Sequence, residues 1–220
     1  MNIPRIRKVT QIIHPITQKD TNFPASIGTY LKADTPEVIW ARGNIDLLSH
    51  KSNSSKDDLW ALFCSSKCPA EIILKTHDLA QEFKEVGVST ISGFHSPIEK
   101  ECLRVLLRGS QPIILSPARS IEKMQWLSSD CQKRLSEDRL LILSIFENEP
   151  QQSVLLARPR NLFVAALASK IFIAHAAEDS KTLEFTQTIL KWGKPVFTFD
   201  SSSNKALIQL GVKPYSEVLP

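Results

Sequence analysis

The chain has 220 residues, is 42% hydrophobic and carries 27 basic against 23 acidic side chains, a net charge of +4. That length suits one α/β domain with an appendage, and the mild basic excess permits an anionic partner without demanding one. No window reaches membrane-spanning length, the first 20 residues hold no apolar core of signal-peptide length, and four cysteines without a CxxC pair argue for reduced thiols in the cytoplasm, against a disulfide scaffold or a metal site.

In chain order, residues 1–48 are broken by prolines and show no clean period. They read as an irregular N-terminal extension that packs on the edge of a core domain spanning 49–220. Residues 49–58, SHKSNSSKDD, read as a polar surface loop. Six short runs rich in Ile, Val, Leu and Phe then recur, at 59–64, 88–92, 112–116, 140–146, 170–176 and 195–199. They do not alternate with polar residues, which marks strands buried on both faces of a parallel sheet. Amphipathic stretches separate them. One runs from Ala70 to a stop at Gly87, and one opens on Pro97 and ends at Gly109. Others cover 119–137, the residues after Arg158, 181 to Gly193, and 203 to Gly211. This alternation predicts a Rossmann-like, doubly wound, mostly parallel sheet of six or more strands flanked by helices.

In such sheets ligands bind beyond the carboxyl ends of the strands. The loops there are rich in serine, lysine and arginine, which suits phosphate, although serine also caps helices. Ser65, Ser66 and Lys67 follow the first core strand. Ser92, Gly93 and Glu99 follow the second, and Ser180, Lys181 and Thr182 follow the fifth. Arg158-Pro159-Arg160-Asn161 reads as the head of a helix. Cations there oppose the helix dipole, so a nearby anion is expected: a bound phosphate, or Glu99 or Asp179. His95 is a possible ligand contact, His175 a buried and hydrogen-bonded strand end, Phe94 the loop aromatic available for base stacking, and the four tryptophans packing residues.

Several of these segments resemble the DNA-processing protein A (DprA/Smf) family. Gly43, Asn44, Leu47 and Leu48 fit that family's G-N-x-x-L-L turn. Cys64-Ser65-Ser66 stands where the family has G-S-R, and SGFHSPIE keeps Ser92, Gly93, Ile98 and an acid at Glu99. Arg160, Asn161, Ser180 and Leu183 align without a gap to the family's R-N and S-G-[SA]-L elements, and the resemblance runs from about residue 24 to 215. The departures are Ser66 for an arginine, His95-Ser96-Pro97 for A-x-G, Leu103 for a histidine and Lys181 for a glycine. The resemblance implies non-catalytic binding of single-stranded DNA, transfer of the strand to a RecA-type recombinase, and a homodimer. It implies no cofactor and no metal.

Two alternatives share the fold. One is a sensor or carrier pocket for a nucleotide. The other is similarity to LOG-type nucleotide phosphoribohydrolases, carried by Arg160, Thr182, Leu183 and Glu184, but all three glycines of that family's turn are missing. A third possibility is a relative that acts only through protein contacts.

Overall fold

A computed structural model describes residues 12–48, 58–122, 127–151 and 153–215. Most of the polar loop at 49–58, and Trp126, lie outside the described residues. The chain forms a sheet of nine strands in the order β1-β2-β6-β5-β4-β3-β7-β8-β9. The strands are β1 (His14–Thr17), β2 (Val38–Gly43), β3 (Trp60–Cys64), β4 (Thr90–Ser92), β5 (Ile113–Leu115), β6 (Leu140–Ser144), β7 (Lys170–His175), β8 (Val196–Phe199) and β9 (Lys213–Tyr215). From β3 to β9 every pairing is parallel, while β1–β2 and β2–β6 are antiparallel.

The central parallel strands are mostly apolar, as in Trp60–Cys64, Ile113–Leu115 and Leu140–Leu143, because helices cover both faces. On one face Ala61, Phe63, Ile171 and Ile173 pack beneath α1 (Ala25–Leu31), α5 (Val154–Leu167) and α6 (Lys181–Leu190). On the other, Trp60, Leu62 and Phe172 pack beneath α2 (Ala70–Val86), α3 (Pro97–Leu106) and α4 (Ser129–Ser136). A short α7 (Lys205–Gln209) precedes β9. The doubly wound fold is the one expected.

Two details differ from the sequence reading. The N-terminal extension packs on the sheet edge by joining it: β1 and β2 pair antiparallel and β2 continues onto β6. Gly43 makes that junction possible. It sits at φ +110°, and a Cβ there would lie 2.3 Å from the Leu140 carbonyl oxygen. Asn44 then donates to the Asp138 carbonyl (3.0 Å) and accepts from the Asp46 amide (3.0 Å), closing the turn. The stretch 119–137 is helical only from Ser129, where the Ser128 hydroxyl caps the helix by accepting from the Cys131 amide. Upstream, Ser120 gives both its amide and its hydroxyl to the Glu149 carbonyl, which ties it into a loop.

The strand order reverses once. The chain steps outward from β3 through β4 and β5 to β6, then returns to place β7 on the other side of β3. The carboxyl ends of β3 and β7 therefore flank the topological switch point, where the loops on either side diverge and leave a crevice.

Candidate ligand-binding cleft

A cavity of about 340 Å³ opens at that crevice. Four segments line it. The end of β3 supplies Cys64, Ser65 and Ser66, and the turn after β4 supplies His95, Ser96 and Glu99. Helix α5 supplies Arg158, Arg160 and Asn161, and the start of α6 supplies Lys181, Thr182 and Glu184.

The turn after β4 is built around Glu99. Ser96 caps α3 by accepting from the Glu99 amide (3.2 Å), and the Glu99 carboxylate returns to the Ser96 amide (3.2 Å), a reciprocal capping box. The same carboxylate accepts from the His95 amide (2.7 Å) and, across the cavity floor, from the Cys64 amide (3.0 Å). Both carboxylate oxygens are thus held by backbone N–H groups, which fix the β3 and β4 loops relative to each other.

Arg160 lies over this turn and is only 4% exposed. A Cβ on Gly93 would fall 0.7 Å from Arg160 Nη1, so the guanidinium occupies the space a side chain at 93 would fill. Nη1 donates to the Ser116 carbonyl at 3.2 Å, while Nε is buried without an acceptor. Burial pushes this guanidinium below its ordinary pKa, and the Glu99 charge opposes that shift. Two neighbours are likewise unsatisfied: the Ser65 hydroxyl and Asn161 Oδ1 are buried with no hydrogen-bond partner. Buried polar atoms left unpaired cost about 1–3 kcal/mol each, and three such atoms belong to residues that line one cavity.

The helix placement of the arginines corrects the sequence reading. Helix α5 begins at Val154, with the Ser153 hydroxyl accepting from the Leu156 amide, and Pro159 lies inside it. Arg158 and Arg160 therefore sit in the second turn, not at the N-terminus, and the dipole conflict inferred there does not exist. Proline at 159 looked like a first helical residue because that is where proline is most often tolerated. Asp179 is exposed, and among the described residues Arg160 forms no ion pair within 4 Å.

Of the twelve residues singled out from sequence, Ser65, Ser66, Glu99, Arg158, Arg160, Asn161, Lys181 and Thr182 line the cavity. Four do not. Ser92 is buried and spends its hydroxyl on the Leu62 carbonyl (2.7 Å) and the Phe94 amide (3.2 Å). Gly93 provides clearance for Arg160. Ser180 caps α6 by accepting from the Leu183 amide (3.2 Å), and Lys67 is exposed outside the cavity wall. Phe94 is no stacking platform, being 4% exposed and packed among Cys102, Ile98 and other apolar residues of the α2–α3 face. His175 is buried as expected, with Nδ1 2.9 Å from Asn204 Oδ1.

Sequence reasoning missed Leu155, Phe63 and Phe185. Leu155 is 85% exposed and stands on the cavity rim. Its position was visible only once the helix was known to start before it, which places it three residues from Arg158 on the same face. Phe63 of β3 and Phe185 of α6 meet edge to face at 4.8 Å and both line the cavity. Cys64 and Cys68 are both free thiols; a hydrogen bond between them, together with burial, holds the Cys64 proton far more tightly than usual and leaves this wall thiol un-ionised.

Among the described residues, no helix is long and apolar enough to cross a membrane. A comparison with curated proteins finds no match. Among solved structures, DNA processing protein A from Streptococcus pneumoniae is similar with a TM-score of 0.71 and 19% identity, covering 93% of this chain and 71% of that one. DNA processing protein A from Helicobacter pylori, described for its single-stranded DNA binding mode, has a TM-score of 0.68 and 19% identity, covering 92% of this chain and 88% of its own. The molybdenum cofactor carrier protein of Chlamydomonas reinhardtii is more distant, with a TM-score of 0.50 and 11% identity over 72% of this chain and 89% of that one. At these identities the structures speak to the fold alone. The family model for DNA recombination-mediator protein A, however, matches residues 14–213, nearly the whole described chain, and this protein belongs to that family.

Proposed function

We propose that the protein binds single-stranded DNA non-catalytically, seating the strand in the cleft at the β3/β7 switch point. The observation that carries this reading is the unsatisfied trio of Ser65 Oγ, Arg160 Nε and Asn161 Oδ1 on the walls of one cavity, with exposed Arg158 and Lys181 beside them. Arg160 Nε and the serine hydroxyl suit phosphate oxygens. The asparagine amide presents a donor or an acceptor according to how it is turned, so it serves a phosphate or a base edge. Exposed Leu155 on the rim offers an apolar surface to a base. Glu99 is a poor general acid or base, because both its oxygens already accept backbone N–H groups. Family membership points the same way, as does the likeness to a relative described as a single-strand binder. Transfer of the strand to a RecA-type recombinase, and a homodimer, belong to this reading through the family alone.

The test is fluorescence anisotropy of a labelled single strand with wild type and with Arg158→Ala/Lys181→Ala, two exposed positions outside the apolar core. Wild type should bind at micromolar concentration or tighter, and the affinity should fall with salt. The double variant should flatten the slope of log K against log salt by about 1.4, the release expected from two phosphate contacts on a single strand. Absence of binding at low salt would overturn the proposal. The cavity, at about 340 Å³, also admits a free nucleotide. That reading predicts thermal stabilisation by a mononucleotide and no salt-dependent strand binding.

A further inference from the structure

A second opening lies at the other end of the sheet, where chains enter β5 and β6 instead of leaving β3 and β7. It has a volume of about 810 Å³ and is lined by the end of α3, by α4 and by the turn before β6. Four cations come together there: Arg108, Lys133, Arg134 and Arg139. Two carboxylates accompany them, and one is committed. Glu137 lies 3.3 Å from Arg134 and 4.0 Å from Lys133. Counting Asp130 as well, four positive charges face two negative ones and leave a net of +2.

Arg134 is the fixed point of this groove. It is 3% exposed and joins α4 to the chain entering β5 through Nη2, which donates to the Gln111 carbonyl at 2.5 Å. Its Nε is buried with no acceptor, and burial pushes the guanidinium below its usual pKa. Arg139 is exposed and, among the described residues, donates from Nη1 to the Ser110 carbonyl at 2.8 Å. Arg108 is exposed on the facing side, one residue before Gly109. The groove therefore has a buried cation, Arg134, and exposed cations, Arg108, Lys133 and Arg139, along its lining. A small enclosed anion would be poorly served by so open a space, whereas a phosphodiester backbone would meet cations along that lining.

We infer that this groove, between α3, α4 and the turn before β6, is a second contact for nucleic-acid phosphates, separate from the switch-point cleft. It holds the backbone by charge without reading bases, so it extends the footprint of a long strand and adds no sequence preference. The groove's charge stands on its own residues; that it extends a footprint, and that a short strand stays bound without it, rests on the cleft reading.

The experiment compares four proteins on a long single strand and on one of about six nucleotides, short enough to fill one site only. They are wild type, Arg108→Ala/Arg139→Gln, Arg158→Ala/Lys181→Ala, and Lys191→Ala/Lys213→Ala, which removes two exposed charges elsewhere. The groove variant should bind the long strand about three- to tenfold more weakly, lower its salt slope by about 1.4, and leave the short strand bound as in wild type. The Lys191/Lys213 variant should match wild type on the long strand. Equal long-strand affinity and slope in the groove variant and wild type would overturn the inference, as would an equal loss in the Lys191/Lys213 variant. Loss only in the cleft variant keeps the cleft reading and rejects the groove; loss only in the groove variant does the reverse. Binding of polyglutamate that depends on Arg108 and Arg139, with no such dependence for DNA, would overturn the nucleic-acid assignment.

Discussion

Two buried polar clusters sit side by side at the carboxyl end of the sheet, and they are finished differently. Around Asn204 everything closes. Its amide nitrogen donates to the Ala174 carbonyl (3.0 Å) and the Thr198 hydroxyl (2.8 Å), its oxygen meets His175 Nδ1, and Thr198 donates onward to the Ile173 carbonyl (2.8 Å). Around Arg160 the accounting stays open, with Ser65 Oγ, Asn161 Oδ1 and Arg160 Nε all buried and unpartnered. The first cluster fastens β7, β8 and α7 to one another. The second faces a cavity. Burial and polarity are shared by the two clusters; what differs is that hydrogen bonding is complete in the first and incomplete beside the cavity in the second.

The comparison is sharpened most by Gly93→Ala. The new methyl group would occupy the position of Arg160 Nη1, so the guanidinium must leave its site. Strand binding should fall more than tenfold, and the midpoint of urea unfolding should drop by the equivalent of about 1–3 kcal/mol, the usual cost of overpacking. Next comes Asn204→Ala. It leaves the Ala174 carbonyl and the Thr198 hydroxyl without their shared donor, and stability should fall by about 2–3 kcal/mol while strand affinity, measured below the melting range, changes little. An unchanged stability would mean that the closed cluster is not what fastens β7 to β8.

Lys194 offers a smaller and pH-dependent check outside both clusters. Its ammonium donates to the carbonyls of Ala165, Ala166 and Ala168 at the end of α5, and burial pushes its pKa down from 10.5 to about 8. Between those values the unfolded chain holds more protons than the folded one, so this group makes stability rise with pH. Lys194→Met should be less stable than wild type, by about 1–2 kcal/mol near pH 7, and the gap should widen as pH climbs from about 8 towards 10.5. A gap that stays constant over that range would contradict the assignment. The smallest effect on stability belongs to Ser65→Ala, which removes a hydroxyl that bonds to nothing in the protein. Its unfolding midpoint should shift by less than about 0.5 kcal/mol, yet strand affinity should fall several-fold. If affinity holds, the hydroxyl is not a ligand contact.

How much of this was legible in the sequence follows from the physics of each segment. The parallel strands β3 to β8 were readable because double-sided burial makes their centres apolar, as in Leu140–Leu143 and Ile171–Ala174, whereas the edge strand β9, Lys213–Tyr215, is short, largely exposed and went unread. β1 and β2 were not: Pro15 lies within β1, Pro36 stands just before β2, and Trp40 and Arg42 are only half-buried. The start of α5 was misplaced because Pro159 mimics a first helical residue. The candidate site was legible as a set of loops, since strand order dictates where loops gather, and eight of its twelve residues line one cavity. Which of them were already satisfied was not legible. Ser92, Ser180 and Ser65 look alike in sequence, and only coordinates tell that the first two are spent on the backbone and the third is open.

The central claim is that the open atoms around Arg160 are completed by a strand of DNA. The most direct measurement is a crystal structure of the protein with a short single-stranded oligonucleotide. Phosphate or base atoms are expected within hydrogen-bond distance of Ser65 Oγ, Arg160 Nε and the Asn161 amide. A strand bound elsewhere, with those three atoms still unpartnered or met only by water, would contradict it.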